Sequence, residues 1–378
     1  MHPCCRATVL FVCLFGLCRG AKAQEGPFGS PGERDARFWA SLKGALYEAK
    51  TVEGAPKGAQ AGAPAEPETA SMSLVEARLG FPLWRGSMEG VSFSTEFKHR
   101  RMDLEWTLPG TDDRLPHDLY RQEFEAGYWR VNRKGRFFLA SAQIGTDSDV
   151  PYASFEEMDT RLFAAYMIPV RDRRDAWMLG LDWSANRTFL NYVPLPGVGY
   201  RWRPNDALQI VAGIPFLNAS WTPEGPWSAS LSGSPSPSVS ARLSFELTEE
   251  VDVFAAYRWL TEAYFRADRE EEEDRLFYTE QVLEAGFAAV PFEAFRLEAA
   301  LGLSAVRSLF ESDGFYDGWQ EDALDLEDAL FFRLGASFTV PSAKGRPGEK
   351  GPPGGGAPQG RPSQGAPARG GPPSRQVR

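Results

Sequence analysis

From Asp328 to Val340 the chain reads Asp-Ala-Leu-Phe-Phe-Arg-Leu-Gly-Ala-Ser-Phe-Thr-Val, and its apolar and polar residues alternate. Leu330, Phe332, Leu334, Ala336, Phe338 and Val340 share one parity; Phe331, Arg333, Gly335, Ser337 and Thr339 share the other. Successive side chains of a strand point to opposite faces, so this stretch predicts a strand with one greasy and one mostly polar face. The pattern recurs. In Ser238–Leu247, Val239, Ala241, Leu243, Phe245 and Leu247 oppose Ser240, Arg242, Ser244 and Glu246. In Glu293–Ser304, Phe295, Leu297, Ala299, Leu301 and Leu303 oppose Arg296 and Glu298. In Asp175–Ser184, Trp177, Leu179, Leu181 and Trp183 oppose Met178, Gly180 and Asp182. Glu250–Leu260 and Gln281–Val290 follow less strictly.

Connections between these segments alternate in length. Short turns are expected near Arg133–Gly135, Arg171–Arg174, Pro204–Asn205, Thr248–Glu250 and Pro291–Phe292. Longer loops are expected near Leu108–Asp118, Thr146–Glu157, Ala185–Pro196, Pro215–Pro237, Arg266–Arg275 and Arg307–Glu327. Short turns at one end and long loops at the other are the habit of membrane-spanning β-barrels. Counting from Val91–Trp106 to Leu330–Val340 predicts an all-β, antiparallel transmembrane barrel of about 12 strands. Trp227–Leu231 and Leu74–Phe81 are optional additions, which makes the range about 10 to 14.

Magnitudes decide which face looks outward. Arg242, Arg296 and Arg333 facing lipid would each cost roughly 2–4 kcal/mol near the midplane. The polar parity is therefore assigned to the lumen, which places Asp182, Arg242, Glu246, Asp252, Arg258, Glu284, Arg296, Glu298 and Arg333 inside. A soluble calyx closes with about eight strands, and a dozen would enclose too wide a space to fill with side chains. Trp177 and Trp183 lie six residues apart on the outer parity, roughly 20 Å along a strand, near the spacing of two aromatic girdles. Inward charges of both signs fit either a polar pore or a lumen plugged by mutual ion pairs.

The ends of the chain differ from this body. Residues 1–23 have the form of a secretory signal peptide: Arg6, an apolar run from Ala7 to Cys18, and a small-x-small cleavage pattern at Ala21 and Ala23. Leu17 is bulky where a lipidation site at Cys18 would want a small residue. Residues 24–71 form an arm in which Phe38, Trp39, Leu42, Ala45 and Leu46 have helical spacing, predicting a short amphipathic helix within Asp35–Ala49. An Ala/Pro/Gly-rich linker follows it, too poor in large apolar residues to fold. The barrel is expected over 72–340. Residues 341–378 are a basic Gly/Pro-rich tail without the glycine period of collagen, and are expected to be disordered.

Charge and composition narrow the chemistry. All four cysteines (Cys4, Cys5, Cys13, Cys18) lie in the signal, so the mature chain forms no disulfide and offers no thiolate. Of 41 basic and 51 acidic residues, the signal removes three basic ones; the tail takes seven basic and Glu349, leaving 24–340 at a net −19. Such an acidic body argues against nucleic acid as a partner. A barrel-embedded lipid hydrolase or acyltransferase would need His99 or His117 as base beside a serine and a carboxylate. Neither histidine sits in a nucleophile motif, so the chain is read as no enzyme and as needing no cofactor. Acidic stretches Glu270–Asp274 and Asp313, Asp317, Glu321, Asp322 and Asp325 offer hard oxygen ligands, without the spacing of a calcium loop. They are expected as solvated outer loops, bridged to lipopolysaccharide by divalent ions.

Two resemblances add to this reading. Arg333-x-Gly335-x-x-Phe338-x-Val340 resembles the carboxy-terminal signal of bacterial outer-membrane barrels, which implies delivery to the barrel-assembly machinery; the long tail that follows departs from the usual pattern. Leu195-Pro196-Gly197-Val198-Gly199-Tyr200-Arg201-Trp202-Arg203-Pro204-Asn205-Asp206, with Gly213-Ile214-Pro215-Phe216, resembles a bacterial family of candidate outer-membrane β-barrels, a domain of unknown function. That likeness covers most of the body and implies fold and outer-membrane location, with no activity to carry over. The expectation is a barrel in contact with outer-membrane lipid, possible roles being a narrow channel for small solutes, a non-conducting structural or surface-interaction barrel, or a lipid-modifying enzyme. No feature fixes an oligomeric state.

Overall fold

A computed structural model describes residues 38–340, apart from 49, 53–67, 105, 108–113, 171–173, 188–189, 235–237, 270, 293 and 319–322. The predicted signal, including Ala21 and Ala23, the tail, and most of the linker lie outside the described residues. The chain forms β1 (Trp39–Tyr47), β2 (Lys50–Val52), β3 (Glu68–Arg85), β4 (Glu89–Asp103), β5 (Asp118–Val131), β6 (Phe137–Ser148), β7 (Met158–Val170), β8 (Asp175–Ser184) and β9 (Leu195–Trp202). It continues through β10 (Leu208–Ile214), β11 (Leu217–Trp221), β12 (Trp227–Ser234), β13 (Ser238–Thr248), β14 (Val251–Tyr264), β15 (Arg275–Phe292) and β16 (Phe295–Ser312). A single helical turn, α1 (Phe315–Gly318), precedes β17 (Leu324–Leu326) and β18 (Ala329–Thr339).

Every pairing between neighbouring strands is antiparallel, and β1 pairs with both β3 and β18, which closes the sheet on itself. β2 continues β1 along β3, and β17 continues β18 along β16, so the closed barrel has sixteen strands. The expectation of about twelve is corrected by four segments. Trp39–Tyr47 is a strand and not the predicted helix. Leu42 and Leu46 are four apart, which satisfies helical and strand periods alike, and pairing on both sides decides for the strand. The barrel therefore begins at Trp39, not near 72, and β3 also belongs to it. The stretch 215–237, expected as one long loop, holds β11 and β12. Their polar parity is serine, a residue weakly disposed to strands, which hid the alternation.

Contacts between strands far apart in the ring identify the inner face. Lys98 on β4 meets Glu262 on β14, and Tyr47 on β1 meets Glu280 on β15 at 3.2 Å. Such pairs can form only across the interior. The other parity carries the half-exposed leucines and aromatics: Leu42, Leu46, Phe97, Ile144, Leu162, Leu179, Leu181, Leu243, Leu283, Leu301 and Leu334. Apolar side chains thus face outward and charges inward, the arrangement of a barrel standing in lipid.

The rim is uneven. One end carries both strand termini of the chain and seven connections of two to five residues. At the other end β3, β15 and β16 run to 18 residues, whereas β9, β10, β11 and β12 have 8, 7, 5 and 8. Above this low arc the tall strands close on one another. Phe265 N–H donates to the Asp147 carbonyl (2.8 Å), Asp149 N–H donates to the Phe265 carbonyl (3.2 Å), and Ser148 and Phe265 form a parallel bridge. β6 and β14 are thereby joined, and nine strands (β14, β15, β16, β18, β1, β3, β4, β5, β6) make a narrower turret. Several of its outer positions are polar, Ser73, His99, Arg101, Tyr120 and Gln281 among them, while Phe277 and Phe310 on the outer parity of β15 and β16 are buried beneath Phe315 of α1.

A barrel of about eight strands is narrow enough for side chains to fill, whereas sixteen leave an aqueous space. The turret obeys the first rule. Met102, Leu119, Tyr264, Leu276, Tyr278 and Leu309 are fully buried in it, packed with Tyr47, Met72 and Phe331.

Candidate functional site: the lumen

The foot of the turret is crossed by a buried polar layer. Arg100, with no exposed surface, donates to Glu262 (3.0 Å), lies over the Tyr278 ring (3.9 Å) and stands 3.9 Å from Glu280. Lys98 pairs with the same Glu262, which also accepts from the Tyr264 hydroxyl (2.8 Å). Glu280 accepts from Ser304 (2.6 Å), Tyr278 (3.0 Å) and Tyr47 (3.2 Å). Each carboxylate therefore has a cation or several hydroxyls, which buried charge requires.

Below it, most of the inward charges expected from sequence form a second network. Arg333 donates to Glu284 (3.0 and 2.9 Å) and Glu298 (2.7 Å); Arg242 reaches Glu298 (3.2 Å), and Arg258 reaches Glu284 (3.2 Å). Arg296 pairs with Asp252 (3.3 Å), which stands opposite Glu246 in the register at the turn end. Asp182 lies apart from these, on β8, where Arg161 (2.8 Å) and Arg187 (3.0 Å) hold it. These groups come from β13 to β18, and the bulk of their side chains fills that half of the lumen.

The other half is open where its inward positions are small. Gly127, Ser141, Gly180, Gly197, Gly199 and Gly213 face inward on β5 to β10; Asn218, Ser220, Ser228, Ser230, Ser232 and Ser234 do so on β11 and β12. A chamber of about 740 Å³ occupies this side, lined among others by Ser94, Glu125, Gln143, Arg161, Asp182 and Arg187, with Leu195, Pro215, Phe216 and Ser234 along its low edge. Its four charged groups are two arginines and two carboxylates. From Ser234 the alternate serines of β12 run down to Ser228, which lines a small hollow at the turn end with Arg242, Asp252 and Arg296.

Phe216, at the tip between β10 and β11, turns its ring back onto β9 and β10. A Cβ on Gly199 would stand 2.8 Å from that ring, and one on Gly213 3.0 Å, so only glycine leaves this seat. The ring also packs against the inward cluster of Trp129, Phe137, Met167, Met178 and Val211, an apolar patch that strict polar-in alternation did not foresee.

The remaining candidates separate from the lumen. His99 faces outward on the turret, stacked on Tyr120 (4.7 Å) and 2.7 Å from the Asp118 carboxylate; His117 Nδ1 lies 3.2 Å from the Met102 carbonyl. Among the described residues neither hydrogen-bonds to a serine. Of the acidic loop residues, Glu270, Glu321 and Asp322 lie outside the described residues, and among the described ones no group of three comes together there. The carboxylates that do are Glu123, Asp147 and Asp159, on adjacent strands beside the seam, where Arg121 donates to Asp147 at 2.7 and 2.9 Å. Of the assembly-signal residues, Arg333 and Gly335 face inward, while Phe338 faces outward against Phe38 (ring centroids 6.4 Å) and Val340 N–H donates to the Phe38 carbonyl (2.9 Å).

Reasoning from sequence missed the Arg100–Glu262–Glu280 layer. Parity was the available signal: Lys98 and Arg100 share one face, and Glu280 lies two pleats from Glu284.

No family model matches this chain, and no curated protein does. Solved structures are similar to it. An outer membrane channel from Pseudomonas putida F1 has 10% identity and a TM-score of 0.33, covering 82% of this chain and 99% of its own. The deltaS2 mutant of the TodX monoaromatic hydrocarbon channel has 10% identity and a TM-score of 0.37, covering 80% and 89%. OmpT, an outer membrane protein of Vibrio cholerae, has 10% identity and a TM-score of 0.30, covering 80% and 96%.

Proposed function

We propose that the chain is a bacterial outer-membrane barrel that passes small, uncharged polar solutes through its off-centre chamber. The carrying observation is the division of the lumen: the charges on β13 to β18 are spent on one another, and the open half is lined by apolar side chains such as Leu139, Phe163 and Met178 with glycines and serines set among them. The serine hydroxyls bind hydrogen-bonding solutes without selecting a charge, the apolar walls add none, and the chamber's two arginines and two carboxylates balance in sign. The long loops then face the cell exterior and the termini the periplasm. The outward rim meets lipid and lipopolysaccharide, and assembly runs through the barrel-assembly machinery. The proposed role is not enzymatic, since His99 and His117 address a carboxylate and a carbonyl in place of a nucleophile.

Planar-bilayer recording tests this reading. The refolded barrel should give small, weakly ion-selective conductance steps, and Phe216→Ala, which empties the glycine seat, should raise the step size. A correctly inserted barrel that stays silent in both forms overturns the reading. It would favour a non-conducting surface barrel, for which the filled turret is the supporting feature.

A further inference from the structure

We infer that solutes reach the chamber sideways, over the low rim formed by the β10–β11 tip and the adjoining end of β12, and not along the barrel axis. The inference rests on the channel reading above and names its entrance. The axis is closed: the turret interior holds fully buried Arg100, Met102, Leu119, Tyr264, Tyr278 and Leu309, and β6 and β14 are hydrogen-bonded where the wide barrel would otherwise continue. A solute arriving from the loop end along the axis meets a core packed like a small protein's.

The rim offers another way in. The β10–β11 tip is two residues (215–216), and β13 begins at Ser238 only four positions after β12 ends at Ser234, so this arc carries no long loop of its own. Leu195, Pro215, Phe216 and Ser234 line the chamber and belong to this rim, so the cavity extends to the edge of the wall. The neighbouring loop 185–194 is pinned in place. Arg187 donates to the carbonyls of Leu190 and Val193 (both 3.2 Å) within the loop, and Arg275, at the outer end of β15, donates to Asn186 (2.8 Å) and ties the loop to the turret. Outside the rim, Ile214 and Leu217 are exposed and apolar, so the mouth opens at the upper edge of the lipid-facing band, beside the headgroups.

All four cysteines lie within the first 18 residues, so protein expressed from Gln24 has none and single cysteines report cleanly. Ser234→Cys places a thiol on the rim; Glu327→Cys places one on the turret, just above its polar layer, beside a small hollow lined by Tyr47, Met72 and Trp106. Each variant is reacted with a maleimide-linked polyethylene glycol and recorded in a planar bilayer before and after labelling. Labelling Ser234→Cys should abolish most of the current, and labelling Glu327→Cys should leave it unchanged. Current that survives the label at Ser234→Cys, or stops on labelling Glu327→Cys, overturns the side entrance while the channel reading stands. Silence in both unlabelled variants overturns the channel reading and the entrance with it.

Discussion

Arg100→Met should destabilise the barrel by about 3–5 kcal/mol, the usual penalty for removing one partner from a buried ion pair. The side chain has no exposed surface, and its loss leaves Glu262 with Lys98 alone and Glu280 with hydroxyls but no adjacent cation. Methionine keeps most of the volume, so the change reports on charge more than on packing. The measurement is the urea midpoint in detergent micelles, or the temperature at which the folded band disappears from a gel. Adding Glu280→Gln should recover part of the loss, because the carboxylate left without its adjacent cation is removed while Glu262 keeps Lys98; recovery larger than the error of the single variants establishes coupling. A loss below about 1 kcal/mol, the range of exposed pairs, would mean that water reaches this layer and the turret is not closed.

Leu179→Arg and Ser230→Arg should differ sharply. Leu179 is half-exposed on the outer parity of β8 between Trp177 and Leu181, so a guanidinium there should cost roughly 2–4 kcal/mol. Ser230 faces the lumen on β12 opposite Arg242, where an added arginine meets water and the serine track. Ser230→Arg should therefore insert and fold normally while narrowing the passage and lowering the conductance. Insertion into liposomes and the folded fraction after extraction are the readouts. Equal losses for both variants would contradict the assignment of faces on which the functional reading depends.

Much of this was legible in the alternation itself. Strands such as Ala329–Thr339 and Ser238–Thr248 have one parity rich in leucine and phenylalanine, and the energetic argument about arginine in lipid then orients them. The nine inward charges were named by parity alone, and the register places them on the lumen face. Their pairing was not legible, because Arg242 reaches Glu298 across two intervening strands and sequence spacing carries no record of that. The strand count failed where side chains are small. In Trp227–Ser234 the alternating serines look like a loop until a lumen is there to receive them. β1 failed differently, since its leucines fit two periods and only pairing with β3 on one side and with β18, 284 to 300 residues away, on the other chooses between them. The turret was invisible for the same reason: it is made where β6 and β14, more than a hundred residues apart, happen to meet.

The five-residue strand β11 measures only about 16 Å along its length, against a hydrocarbon band of about 25 Å. Its neighbours across the barrel are more than three times longer. Acyl chains touching this arc must shorten or splay to keep their ends covered, at fractions of a kcal/mol for each ångström of mismatch. In the proposed orientation the surrounding bilayer is expected to be dimpled on one flank of the molecule, with its outer leaflet dipping toward Ile214 and Leu217.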